Sequence, residues 1–290
     1  MQPAEFGPLD DVPTYRTGSF WMSLTALYPF ASRHAVQSAT MVMAWEAAIS
    51  DEYLTEVQAL RGALKADFGA MHLNQRITFN MLDPSSGVSA PGIGGVNFVR
   101  GNVPDITRSL QVQEKIVQLT SNDYDRWVHF IKLVQRSFKT LGPVVAKGRK
   151  LASVQLQYVD TFMWKGDPKN LQLSEIFDST SPYLPQNIFT LGNDFWHSHH
   201  GFFSTREAPE NCRLLDNVNV QRAPKEGTSE HVLTIVTNHQ LLPKDEIWSP
   251  EGCLDFLNTH SAFLHDRNKA MLSSLLTDEV KGLISLWGST

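Results

Sequence analysis

Apolar positions recur along this chain with two periods, and the switches between them map its elements. From Ser50 onward Leu54, Val57, Leu60, Leu64 and Phe68 fall three or four apart. Ser50 precedes the acids Asp51 and Glu52, and Gly69 follows the last apolar position, which predicts one amphipathic helix of about five turns. A second helix is predicted over 123–141, where Trp127, Phe130, Ile131, Val134, Phe138 and Leu141 form a stripe to be buried. Ser121 or Asp123 caps its start, and Gly142-Pro143 ends it. Ser249-Pro250-Glu251 opens a third helix running to about Leu275, and Thr277-Asp278-Glu279 opens a last one carrying Val280, Leu283, Ile284 and Trp287.

Alternation marks the strands. It predicts one at 76–81 (RITFNM), a hairpin of 109–112 with 116–119, a strand at 153–162, and an antiparallel meander of 194–205, 212–222 and 231–239. The stretches WMSLTALYPF and TMVMAWEAA (40–48) are apolar without a decisive period; the second reads as strand or helix. Glycine and proline supply the breaks: residues 1–18 read as an irregular arm, DPSSGVSAPGIGG (83–95) as a flexible connection, and DSTSPYLPQN as a boundary. The glycine-rich loop lacks the Lys-Ser/Thr ending and following helix of a phosphate cradle. Strand groups and helices that do not alternate regularly indicate α+β: antiparallel sheets with covering helices, an N-terminal half over 19–180 and a C-terminal meander plus helices over 181–290.

With 290 residues and 42% hydrophobic content, the chain can fill a core without staples. Lys+Arg 25 against Asp+Glu 30 produces no field that would recruit a polyanion or an anionic membrane, so no nucleic-acid and no membrane partner is expected. Two cysteines without metal-ligand spacing, no apolar leader segment and no span-length apolar run give a cytoplasmic protein as the expectation.

Candidate chemistry is isolated. Phe195 to Phe203 reads FWHSHHGFF, three of the ten histidines in four positions. On a strand His197 and His199 share one face, while His200 joins Trp196 and Ser198 on the other. Such a His-x-His pair suits two zinc ligands, with His231, His239, His260 or His265 as a third, but no general base accompanies it. Histidines on a sheet surface, with aromatic neighbours for packing, explain the stretch without metal. Ser198 is not on a nucleophile elbow, and Cys212 and Cys253 read as core thiols. Glu46, Asp160 and Asp216 are acids in strand-like segments, where inward placement requires a partner or raises the pKa. Tyr124-Asp125 and Arg126-Trp127 form a polar and aromatic helix start able to present a ligand surface, and helix capping and core anchoring explain them equally well.

The opening TMVMAWEAAISDEYLTEVQALRGALKADFGAMHLNQRITF, the runs SLQVQEKIVQLTSNDYDRWVHFIKLV, VQLQYVD and LLDNVNV, and the closing THSAFLHDRNKAMLSSLLTDEVKGLI resemble, in this order, a sporadically distributed family of functionally uncharacterised bacterial proteins. The resemblance covers residues from about 39 onward. Members usually carry Arg-Tyr and Asn where this chain has Gln157-Tyr158 and Asp160, and Leu-Asp-Ile-Asp where it has Leu215-Asp216-Asn217-Val218. The resemblance implies a bacterial cytoplasmic protein from mobile gene clusters, in a toxin-neutralising or phage-defence setting, and supplies no reaction. The sequence therefore reads as a non-enzymatic binding or accessory protein acting through a protein partner, with homo-oligomerisation open and no cofactor implied. Trp196, His197, His199, His200 and Asp216 are the candidate contact surface. The alternative is a metal-dependent hydrolase centred on His197 and His199.

Overall fold

Alternating residues leave each strand one face to bury, and here ten strands among the described residues do so in a single antiparallel sheet. The computed structural model describes residues 24–76, 92–190, 195–204, 208–225, 227–228 and 230–287. Its strands are β1 (Leu27–Pro29), β2 (Val36–Trp45), β3 (Ala70–Arg76), β4 (Gly92–Arg100), β5 (Arg108–Gln113), β6 (Ile116–Ser121), β7 (Leu151–Trp164), β8 (Trp196–Phe203), β9 (Cys212–Pro224) and β10 (His231–Pro243). The helices are α1 (Asp51–Ala59), α2 (Arg61–Leu64), α3 (Trp127–Val145), α4 (Leu173–Ile176), α5 (Pro250–Leu275) and α6 (Asp278–Leu283). The α+β class with antiparallel pairing is as expected.

The strand order is β3-β4-β5-β6-β2-β7-β10-β9-β8, with β1 beside the end of β7. Two leading strands, β2 and β7, pair at the centre, Thr40 opposite Gln157 and Met43 opposite Val154. Each leader is followed by helical turns, then by a meander whose last strand returns to it (β6 to β2, β10 to β7), then by a long helix. The connectivity is thus duplicated, although the halves share no residue pattern. Helices cover one face. Met41, Met43, Leu156 and Leu214 meet Phe130, Val134, Phe138 and Leu257 in one core cluster, and Phe162, Val218, Ile235 and Leu275 belong to a second. On the opposite face the same alternation leaves partly exposed amides and hydroxyls, among them Gln155, Gln157, Asn217, Asn219, Thr234 and Asn238.

The hairpin β5–β6 and the meander β8–β9–β10 form as the alternation predicts. TMVMAWEAA resolves as strand, ending at Trp45. Four details differ. The helix from Ser50 divides at Leu60, where the backbone reaches ψ 0 and the Leu60 N–H bonds Val57 O in a tightened turn, yet Leu54, Val57, Leu64 and Phe68 are all buried as the stripe requires. The helix over 123–141 starts later, at Trp127, because Asp123 instead accepts from Arg108 and Ser121; it also runs through Pro143 to Val145. A proline in the last turn deletes one amide bond there without ending the helix. GIGG does not belong to a flexible connection: it begins β4, where Gly95 lies so close to β5 that a Cβ would stand 2.6 Å from Val112 O. In α6 only Val280 and, just beyond it, Ile284 are buried, whereas Leu283 and Trp287 face outward. The arm at 1–18 and the stretch 77–81 lie outside the described residues; the strand that is described nearby, β3, precedes them. Among the described residues no helix is long and apolar enough to cross a membrane.

Candidate functional site

The expected contact surface does not assemble. Alternation along β8 points His197 and His199 outward, exposed on the face opposite the described helices, while Trp196 is buried in the second core cluster against Phe177. The His200 Nε2 lies 2.6 Å from Tyr183 O and 3.2 Å from Ser198 Oγ, so this imidazole braces a loop. His231 and His239 are inward on β10, and among the described residues no group of three or more His, Cys, Asp or Glu could hold a metal ion. Asp216 departs furthest from a surface role, being fully buried. Its neighbours on the same face are Leu214, Val218 and Val220, which carry it into the core, where it accepts from Ser204 Oγ at 2.9 Å, from His239 Nδ1 at 2.6 Å, and from Arg267 Nε and Nη2 at 2.9 and 2.8 Å. Burial alone would raise this carboxyl; the His239 and Arg267 hydrogen bonds outweigh it and hold the pKa below the usual carboxylate range. Asp216 is an internal clamp between β9, β10 and α5.

A different set of residues converges. Where β2 begins, its pairing with β7 shifts register between Val36 and Ser38, and the preceding turn, Ala31 bridged to His34, swings away. Beside this departure a pocket of about 650 Å³ opens, walled by that turn, by the start of α3, by Tyr158 and Asp160 of β7, by the middle of α5 and by the residues after α6. Aromatic rings frame it. Trp127 stacks on His265 with ring centroids 4.4 Å apart and planes at 3°, and Tyr124 meets both His34 and Tyr158 edge-on at 5.7 Å. The Tyr158 hydroxyl lies 3.0 Å from His265 Nδ1.

Desolvation governs the titrations here. Burial pushes Asp160 up to about 7, and its Oδ2 is buried with no hydrogen-bond partner. Burial likewise lowers His265 to about 4, with the charge of Lys269 adding to it, and lowers His34, whose Nδ1 is buried and unpartnered. Tyr124 is raised to about 12, again chiefly by burial. At neutral pH the imidazole of His265 is therefore uncharged, and burial holds the Asp160 carboxyl far above the usual carboxylate range. Arg33, Arg126 and Lys269 bring positive charge to the lining.

Tyr124, Asp125, Arg126, Trp127, Asp160 and His265 had each been visible in the sequence as separate signals; the fold gathers all six at one pocket. His34, Arg33 and Lys269 were missed, since a polar residue in a turn or on a helix flank carries no period. Two buried guanidinium groups and one partly buried were also missed: Arg149 bonds Ala47 O, Val145 O and Glu114 O beneath the Trp45 ring, Arg222 bonds His231, and the partly buried Arg267 bonds Asp216. All three lock elements together and none lines the pocket. A scan of protein-family models and a search of curated proteins found no match to this chain.

Proposed function

We propose that this protein is a binding protein whose recognition site is the pocket between the 31–36 turn, α3 and α5. The observation that carries the reading is Asp160: a residue 2% exposed, lining the pocket, with one carboxyl oxygen that has no partner among the described residues. An unsatisfied buried polar atom costs roughly 1–3 kcal/mol, and occupancy of the pocket by a hydrogen-bonding ligand would recover it. The aromatic walls and the pocket's size match the concave, mostly preformed character of small-molecule sites.

In this reading ligand binding serves an accessory role exerted through a protein partner. Support for a partner comes from large apolar side chains left exposed at the sheet's β8 edge, Phe195 at 57% and Phe203 at 58%, beside the outward His197 and His199. A bacterial cytoplasm and a toxin-neutralising or phage-defence cluster are the setting that the family resemblance suggests. No observation favours a hydrolase at His197 and His199 over this reading.

The test is ligand retention. The purified protein and a Ser32→Trp variant, which places an indole at the exposed rim of the pocket, are incubated with a bacterial small-molecule extract, washed, and analysed by mass spectrometry after denaturation. The expected result is a compound held by the wild type, released chemically unchanged, and absent from the variant. Equal retention by both chains, no retained compound, or its conversion to a product would overturn the proposal.

A further inference from the structure

We infer that the pocket's ligand is a small zwitterion, with an ammonium group seated on Asp160 and an acidic group held by Lys269 and Arg33. This inference rests on the pocket reading above and adds the chemistry of the occupant.

The pocket holds unmatched charge of both signs. Among the described residues no Lys, Arg or His forms an ion pair with Asp160, so a carboxyl 2% exposed depends on whatever enters the pocket for a counter-charge. A ligand ammonium supplies it, together with the N–H that the orphaned Oδ2 lacks. Tyr124 and Tyr158, beside it in the lining, offer the aromatic environment that favours a cation over a neutral amide. A cation alone would not suit the whole site, because Lys269 and Arg33 belong to the same lining. The Lys269 ammonium rests over the Trp287 ring at 5.1 Å, and neither it nor Arg33 forms a carboxylate pair among the described residues. Asp125, the other acid of the lining, is engaged by His129 at 2.7 Å and by the Arg126 N–H at 2.7 Å. Arg126 adds a third positive charge to the lining, so an anionic group on the ligand is the natural partner for Lys269 and Arg33, and Leu272, Leu286 and Trp127 give its body an apolar wall. At about 650 Å³ the space suits a molecule the size of an amino acid or dipeptide.

The experiment uses matched probes that make no assumption about the separation of the two charges. The ω-amino acids 4-aminobutanoate, 6-aminohexanoate and 8-aminooctanoate are titrated beside the amines and the carboxylates of equal chain length, with binding followed by NMR line broadening of the probe. At least one ω-amino acid is expected to bind tenfold or more tightly than both of its singly charged counterparts. Asp160→Asn, which preserves side-chain shape, should abolish its advantage over the carboxylate. Lys269→Gln should abolish its advantage over the amine. Ser32→Trp should weaken all binding. A carboxylate or an amine that binds as well as the zwitterion, or a ranking unchanged in Asp160→Asn, would overturn the inferred ligand class while leaving the pocket reading intact. Binding that Ser32→Trp does not touch would place the probes elsewhere and remove support from both. Absence of binding by every probe would overturn the zwitterion alone, since ligand retention from extract decides the pocket reading separately. Thermal melts of each variant, overlaid on the wild type, establish that the fold is retained.

Discussion

Replacing Asp216 with alanine removes the acceptor that three side chains share. Arg267, its side chain 11% exposed, loses its Nε and Nη2 bonds to Asp216. His239, with no exposure at all, loses its Nδ1 contact while its Nε2 already lacks a partner. Each stranded buried polar group costs roughly 1–3 kcal/mol, and breaking one side of a buried ion pair costs about 3–5 kcal/mol. Taking about 4 kcal/mol, and an m-value near the upper end of the ~1–3 kcal/mol/M range for urea, the unfolding midpoint should fall by more than about 1 M. The companion variant Asp216→Leu/His239→Phe/Arg267→Met replaces the whole cluster with apolar groups of similar bulk and should recover most of the loss, since the uncompensated charge, not the missing pair, carries the cost. The pH dependence has a definite sign. The folded carboxyl is held below its unfolded value, so its contribution is fully present above about pH 4 and is lost as pH falls through the folded pKa. The difference between wild type and Asp216→Asn should be flat from pH 6 to 8 and narrow only under acid. A midpoint for Asp216→Ala within 0.3 M of wild type would refute the description of Asp216 as a clamp.

Asp160 titrates in the opposite direction: because burial raises its folded pKa to about 7, the folded state binds a proton that the unfolded state releases near pH 4, and stability should decline between pH 4 and 7 by up to about 4 kcal/mol. Asp160→Asn should remove that slope and melt above wild type at pH 8; an unchanged slope in thermal melts across this range contradicts the burial argument. Gly95→Ala should cost about 1–3 kcal/mol because its Cβ meets the Val112 carbonyl at 2.6 Å, whereas Gly201→Ala meets only the tip of the Asn217 side chain and should cost less; equal melting temperatures would refute the distinction. Phe138→Ala, at a position 2% exposed, should cost about 3–5 kcal/mol. Trp127→Ala should cost less because Trp127 is only partly buried, but it should release the ring stacked on it and shift the His265 NMR titration; an unmoved His265 would count against the stacked geometry.

The extent to which each element was legible follows the range of the forces that make it. Hairpin β5–β6 and meander β8–β9–β10 rest on alternation and short connections, so local pattern suffices. Helix ends depend on which of several competing polar groups wins. Asp123 spends its carboxylate on Arg108, fifteen residues away, and so leaves α3 to begin at Trp127. The inward placement of Asp216 was implicit in its alternation with Leu214, Val218 and Val220, but nothing local to it announces Arg267 as its partner. The pocket was the least legible feature. Its walls come from five separate segments, and the opening depends on a register shift at Val36, which has no signature in residue type. The histidine cluster drew attention because three imidazoles adjoin in sequence, yet a strand disperses such neighbours to opposite faces.

The central pairing of β2 with β7 has a bearing on synthesis. While the chain is being made, β2 can pair with β6 on one side as soon as the hairpin exists, but its other edge, lined by Ala39, Thr40, Met41, Val42 and Met43, remains open until α3 and then Leu151–Trp164 have emerged. At ~5–20 residues per second this exposure lasts on the order of seconds. Once β7 fills the gap the vacancy passes to β7 itself, because β8 and β9 join the sheet through β10, which follows them in the chain. Any nascent chain stalled before His231 thus carries a long unpaired edge down the middle of the eventual sheet, open to pairing with another chain throughout that interval.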